Sequence, residues 1–155
     1  MKLNQLVGMR TFKTGIAVAI TLIICEWVMA TNPFFAAISA IFAMESTVEG
    51  TLKVVRDRLF GTILGAAIAI GFTMILPQTS ITIGLGVILV ITICNAFKLQ
   101  GTIKIASIVF LAIALGAHDG NQLNYALYRT IDTLIGLMVS TLINLFVFPK
   151  GITMK

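Results

Sequence analysis

From Leu59 to Phe97 the chain carries no charged residue, and that single run decides what it can become. A soluble domain clothes its core with charge, and about 25% of residues in ordinary soluble chains are charged. Here 11% of the 155 residues are charged and 58% are hydrophobic. A globular unit of this size cannot hide that much apolar surface, whereas a bilayer accepts it. The composition therefore predicts an all-α fold, a polytopic transmembrane helix bundle.

Six membrane segments follow from the apolar runs: 14–29, 33–45, 59–76, 81–97, 105–117 and 121–148. The second and fifth are short. At 1.5 Å per residue, 33–45 reaches roughly 20 Å against a hydrocarbon core of ~30 Å. The last is long, roughly 42 Å if helical throughout, so its first turns are expected to project beyond the core. Asn32 is a good N-cap before Pro33, which suits a first helical position. Ser46-Thr47-Val48-Glu49 reads as a capping box that opens an amphipathic, interfacial helix start. Along that start Glu49, Lys53 and Asp57 stack at i, i+4 spacing. Pro77-Gln78-Thr79-Ser80 is a turn, and His118-Asp119-Gly120-Asn121 another, with Asp119 and Asn121 as caps. The organisation expected is a basic cytoplasmic N-terminus (1–13), a transmembrane domain (14–149) and a short cytoplasmic tail (150–155).

Charge sets the orientation and excludes several functions. With six crossings and the N-terminus inside, Arg129 alone of the 11 basic residues falls outside, a clear positive-inside pattern. If 105–117 is re-entrant instead, there are five crossings and the asymmetry weakens. The net charge of +5 sits at the ends of apolar segments, without an aromatic-interleaved basic patch, so no nucleic-acid partner is expected. Cys25 and Cys94 lie inside apolar runs as small buried hydrophobes. One histidine and two isolated cysteines make no metal set, and neither a phosphate loop nor a cofactor motif is present. No nucleophile–base pair appears, so the chain is not read as an enzyme. Lys2, Arg10 and Lys13 before an apolar run imitate a signal peptide, but Glu26 and Trp27 interrupt it and favour a retained first helix.

One helix face recurs three times. Arg10, Thr14, Ala17, Thr21 and Cys25 share their spacing with Arg58, Thr62, Gly65, Ala69 and Thr73, and with Arg129, Thr133, Gly136, Ser140 and Asn144. Each set lies on one side of an α-helix. Gly61, Gly65, Ala69 and Gly136 are small enough for close helix packing. Arg10 and Arg58 read as orientation anchors at the inner surface. The hydroxyls of these faces have two readings. They line a shared path, or they bond back to their own helix carbonyls, the commoner use in apolar helices.

The sequence also resembles a known family. Arg10-Thr11-x-Lys13-Thr14 opens the first helix, and Asn32-Pro33-Phe34-Phe35-Ala36-Ala37-Ile38 the second. Arg58-Leu59-Phe60-Gly61-Thr62-x-x-Gly65, Asn95-x-x-Lys98 and Tyr128-Arg129-x-x-Asp132-Thr133-x-x-Gly136 follow in order. Their order and spacing resemble the membrane domain of the aromatic acid exporters, relatives of fusaric acid resistance proteins. The resemblance implies a proton-driven secondary exporter of aromatic carboxylic or similar organic acids, multi-pass in the bacterial cell (plasma) membrane. Two departures stand out. Glu45-Ser46-Thr47 replaces a Gln-Pro-Thr-like turn, and the sequence ends at Lys155 where family members commonly continue into a cytoplasmic domain. Assembly as a homo-oligomer is therefore expected, and the alternative is a non-transporting membrane subunit or assembly partner.

The candidate substrate-binding residues are Arg129, Asp132, Glu45 and Asn144. Arg129 can meet a carboxylate bidentately, which a lysine cannot match. Asp132, one turn away, is then displaced or protonated; alternatively the two form a structural pair. Glu45 ends a helix too short to cross, so burial would raise its affinity for a proton, unless water reaches it there.

Overall fold

The computed structural model describes residues 9–29, 33–45, 48–116 and 122–146. Among the described residues there are six α-helices and no strand. They are α1 (Met9–Met29), α2 (Phe34–Ala43), α3 (Val48–Ile75), α4 (Ser80–Ala96), α5 (Ile103–Gly116) and α6 (Gln122–Phe146). A 3-10 turn, Gln100–Thr102, leads into α5. Glu49–Ile75 and Leu123–Asn144 are each long and apolar enough to cross a membrane, and Phe34–Ala43, Ser80–Ala96 and Gln100–Gly116 are shorter apolar helices. Ile75, Ile81 and Met74 are 82%, 78% and 71% exposed, as suits a helical membrane protein whose solvent is lipid.

The helix limits depart from the sequence reading in three places. The first helix starts at Met9, inside the stretch expected to lie outside the membrane segments. The interfacial start and the spanning part of α3 are one unbroken helix, because neither Gly nor Pro interrupts Thr51 to Phe60. Pro33 precedes α2 as its N-cap residue rather than opening it, and its carbonyl accepts from Ala37 N at 3.0 Å. The Asn32 cap, Ser46 and Thr47 of the expected capping box, the 118–121 turn and the tail from Pro149 lie outside the described residues.

The helices divide into two compact units: 1–55 with 132–155, and 56–131. In the second unit, α3 packs on α5 through glycine. Gly61 lies against Ile105, and a Cβ on Gly65 would stand 2.5 Å from the carbonyl oxygen of Ala106. Gly86 on α4 makes room for the ring of Phe110, which also meets Phe72 edge to face with centroids 5.5 Å apart. Ala66, Ala69, Val90, Cys94, Ile113 and Ala114 close this core.

Local chemistry fixes the ends of α4. Thr79 and Thr82 exchange backbone and side-chain hydrogen bonds in a capping box. At the other end Lys98 takes φ 56°, the left-handed region, while Leu99 N donates to Cys94 O at 2.9 Å. The Asp57 carboxylate rests against Gly101, so the basic end of α3 and the α4–α5 connection share one end of the unit.

In the first unit, Ala17 on α1 packs with Val139 and Ile143 on α6. Gly136 of α6 sits against the carbonyl oxygen of Ala36 and the Cβ of Ser39 on α2. A stripe of small residues thus lets α6 approach α2 almost backbone to backbone.

Candidate functional site

Arg129 emerges from α6 in the second unit, half-buried. Its Nη2 donates to the Tyr125 hydroxyl at 2.7 Å, and its guanidinium carbon lies 4.6 Å from the centroid of the Tyr125 ring. Helical side chains lean toward the N-terminus, so a partner four residues back is the one a long side chain reaches most readily. Tyr125 is held in turn by α5: a Cβ on Gly116 would stand 2.6 Å from its hydroxyl oxygen. The result is a guanidinium oriented by an aromatic ring. Such a pair offers a cation to a carboxylate and a π-face to an aromatic ring.

Asp132 lies in the first unit and is 1% exposed. Of the carboxylates among the described residues it alone is buried; Glu26, Glu45 and Glu49 are exposed and Asp57 is half-buried. Cys25 of α1, itself fully buried, lies within electrostatic range of it.

Glu45 and Asn144 meet in the same unit, through the backbone of the first. Asn144 Nδ2 donates to the Glu45 carbonyl at 3.1 Å and to Thr51 Oγ1 at 2.9 Å. Thr51, in the first turn of α3, is 2% exposed. One amide on α6 therefore binds both sides of the break between α2 and α3. The Glu45 carboxylate itself is exposed.

The remaining predicted positions fall as follows. Ala69 is fully buried in the second unit's core, and Gly61, Gly65 and Gly136 make the close contacts given above. Arg58 is 8% exposed. Arg10 belongs to α1, and its side chain lies outside the described residues. Thr21, Thr73 and Ser140 donate to Ala17 O, Ala69 O and Gly136 O at 2.7, 2.8 and 2.7 Å. At those three positions the hydroxyl turns back into its own helix. Among the described residues no group of three or more His, Cys, Asp or Glu side chains could hold a metal ion.

Two residues that sequence reasoning missed complete these contacts. Tyr125 was signalled by its i−4 spacing from Arg129. Thr51 had no local signal, since its partner Asn144 lies far along the chain.

The family described as aromatic acid exporter family member 1 matches residues 5–147. UPF0421 protein YgaE of Bacillus subtilis (strain 168) is 37% identical over 142 residues, 92% of this chain and 40% of that protein. UPF0421 protein OB2406 of Oceanobacillus iheyensis is 36% identical over 149 residues, 96% of this chain and 42% of that protein. UPF0421 protein SAUSA300_1870 of Staphylococcus aureus (strain USA300) is 37% identical over 147 residues, 94% of this chain and 44% of that protein. The chain thus spans less than half the length of these curated relatives. No solved structure matches it.

Proposed function

The chain belongs to the aromatic acid exporter family, and from that premise we propose that it forms the membrane part of a secondary exporter of aromatic carboxylic acids. The observation that carries the reading to residues is the Arg129–Tyr125 pair. An aromatic acid presents an anionic group and a ring, and the pair presents the complement of each. The arginine is already desolvated on one side and oriented, so less freedom is lost when a carboxylate replaces the tyrosine hydroxyl as its partner. Glu45 and Asn144, joined at the α2–α3 break, belong to the reading as residues that shape the first unit rather than as ligands of the acid.

In this reading the protein resides in the bacterial cell membrane with its N-terminus in the cytoplasm. The shared placement of Asp57 and the Gly101 turn supports it, because Arg56, Lys98 and Lys104 then cluster at one end. A helix of 10 residues such as α2 reaches only about 15 Å, short of the bilayer core, and neighbouring copies of the chain in a homo-oligomer would cover it.

The test is counterflow of radiolabelled 4-hydroxybenzoate in proteoliposomes holding the full chain. Exchange is expected in the wild type, with Tyr125→Leu weakened about five- to tenfold in apparent affinity by loss of the ring that holds the guanidinium. Arg129→Ala should lose exchange, and Arg129→Lys should not restore it, because lysine keeps the charge without the planar fork. Equal exchange by wild type and Arg129→Ala across a panel of aromatic acids would refute the assignment. Absence of exchange in the wild type would favour a non-transporting membrane subunit.

A further inference from the structure

We propose that the α4–α5 connection, with Arg56 of α3 beside it, binds the phosphate headgroup of an anionic phospholipid, one acyl chain of which lies in the groove between α3 and α4. Such a site needs only a membrane-embedded helix bundle and holds whether or not the chain carries acids across.

Three cations gather around one contact. The Asp57 carboxylate rests against Gly101 and ties α3 to the connection. Lys98 and Lys104 stand three residues to either side of Gly101, and Arg56 adjoins Asp57. Three residues of chain span at most about 10 Å, about one Debye length at physiological salt, so the charges act together. Asp57 is the one acid among them, which leaves a surplus of two positive charges. Its bridge to Arg56 is 3.6 Å long and the arginine side chain is 67% exposed, so the pair is weak and the guanidinium stays open to an anion. Lys98 and Lys104 are exposed as well.

The backbone at Lys98 points the same way. Its φ of 56° lies in the left-handed region, which glycine occupies without strain. A lysine here costs stability that glycine would spare, and such strain collects where a particular side chain must be placed. The groove then separates a phospholipid from a soluble phosphate. Ile93 lies five residues before Lys98, about 7.5 Å by helical rise, and lines an apolar groove with Leu89 of α4 and with Ile68 and Gly71 of α3. Gly71 leaves open space there, with nothing within 4 Å of a Cβ. A phosphate held at Lys98 thus has a hydrocarbon channel beneath it, and a lipid fills both. Basic pockets between membrane helices take anionic headgroups in this way. A zwitterionic lipid fills the groove equally well but brings no net charge to meet the surplus.

Native mass spectrometry of the full chain, titrated in detergent with dioleoylphosphatidylglycerol or dioleoylphosphatidylcholine, tests the site. A cation near an anionic headgroup contributes about fivefold in affinity, so the surplus of two predicts a preference of about 25-fold for phosphatidylglycerol. Lys98→Gly should lower that preference about fivefold. The same substitution relieves the backbone, so its lost binding is not lost folding. Lys98→Arg should keep the preference, and so should Lys13→Gln, which removes a cation from α1. The triple variant Arg56→Gln, Lys98→Gly, Lys104→Gln should bind the two lipids alike. Gly71→Leu fills the groove without changing charge, and should weaken both lipids while leaving the preference. Equal binding of both lipids by the wild type overturns the proposal, as does a wild-type preference in Lys98→Gly. A loss in Lys13→Gln as large as in Lys98→Gly overturns it in favour of diffuse surface charge. Displacement of bound phosphatidylglycerol by millimolar glycerol 3-phosphate overturns it in favour of a soluble phosphate. Undiminished binding of both lipids by Gly71→Leu overturns the placement of the acyl chain.

Discussion

Gly65 offers the sharpest test of how the second unit is held. A Cβ there would stand 2.5 Å from the Ala106 carbonyl oxygen and 3.0 Å from its Cα, whereas ordinary contact begins at 3.4 Å. Gly65→Ala is therefore short by 0.9 Å against backbone, which cannot swing aside as a side-chain tip can. Helices α3 and α5 must separate, and overpacking of this kind costs about 1–3 kcal/mol. Alanine recovers about 1 kcal/mol through its better helix propensity, leaving a net loss of roughly 1 kcal/mol. Gly71, two turns further along α3, has nothing within 4 Å of the same hypothetical atom. Gly71→Ala should gain about 0.5–1 kcal/mol from propensity alone. The two variants, identical in chemistry and sharing one helix, should thus differ by about 2 kcal/mol, a factor of nearly 30 in the folded-to-unfolded ratio. Reversible denaturation in mixed micelles, followed by helix signal and by proteolysis, measures that difference. A Gly65→Ala protein at least as stable as Gly71→Ala would refute the claim that backbone contact at this glycine sets the α3–α5 distance.

Two further substitutions follow from local geometry. Lys98 holds φ 56°, a conformation that glycine adopts without strain, so Lys98→Gly should stabilise the protein by about 1 kcal/mol in the same denaturation assay. Asn144→Ala leaves the Glu45 carbonyl and the buried Thr51 hydroxyl without their donor, and should destabilise by about 1–3 kcal/mol, with faster hydrogen exchange in the first turns of α3.

Much of the helix pattern is written locally and is legible for that reason. Apolar runs, the Pro77 turn and the spacing of Gly61 and Gly65 all report on neighbours within a few residues. The limits shift where continuity outweighs composition, as in α3, whose charged start and apolar remainder keep one helical period. The candidate site is less legible because it depends on which way side chains lean and on what distant segments bring. Arg129 has Asp132 three residues ahead and Tyr125 four behind, and sequence spacing permits both partners. The structure shows the hydrogen bond to Tyr125. Exposure is harder still. Glu45 and Asp132 are both carboxylates in apolar stretches, yet one is exposed and the other 1% exposed.

The hydroxyls that turn back onto their own helices have a consequence for how such a chain is made. Thr21, Thr73 and Ser140 find their acceptors within four residues, so each is satisfied as soon as its helix exists. At these positions a helix can enter the bilayer with its hydroxyls already silent toward lipid. Asn144 is different in kind, because both of its acceptors come from other parts of the chain. Its amide stays exposed to lipid or headgroups until α2 and α3 have arrived. Insertion and assembly are thereby separated in time: the first needs nothing beyond each helix, and the second is completed when one asparagine closes across the α2–α3 break.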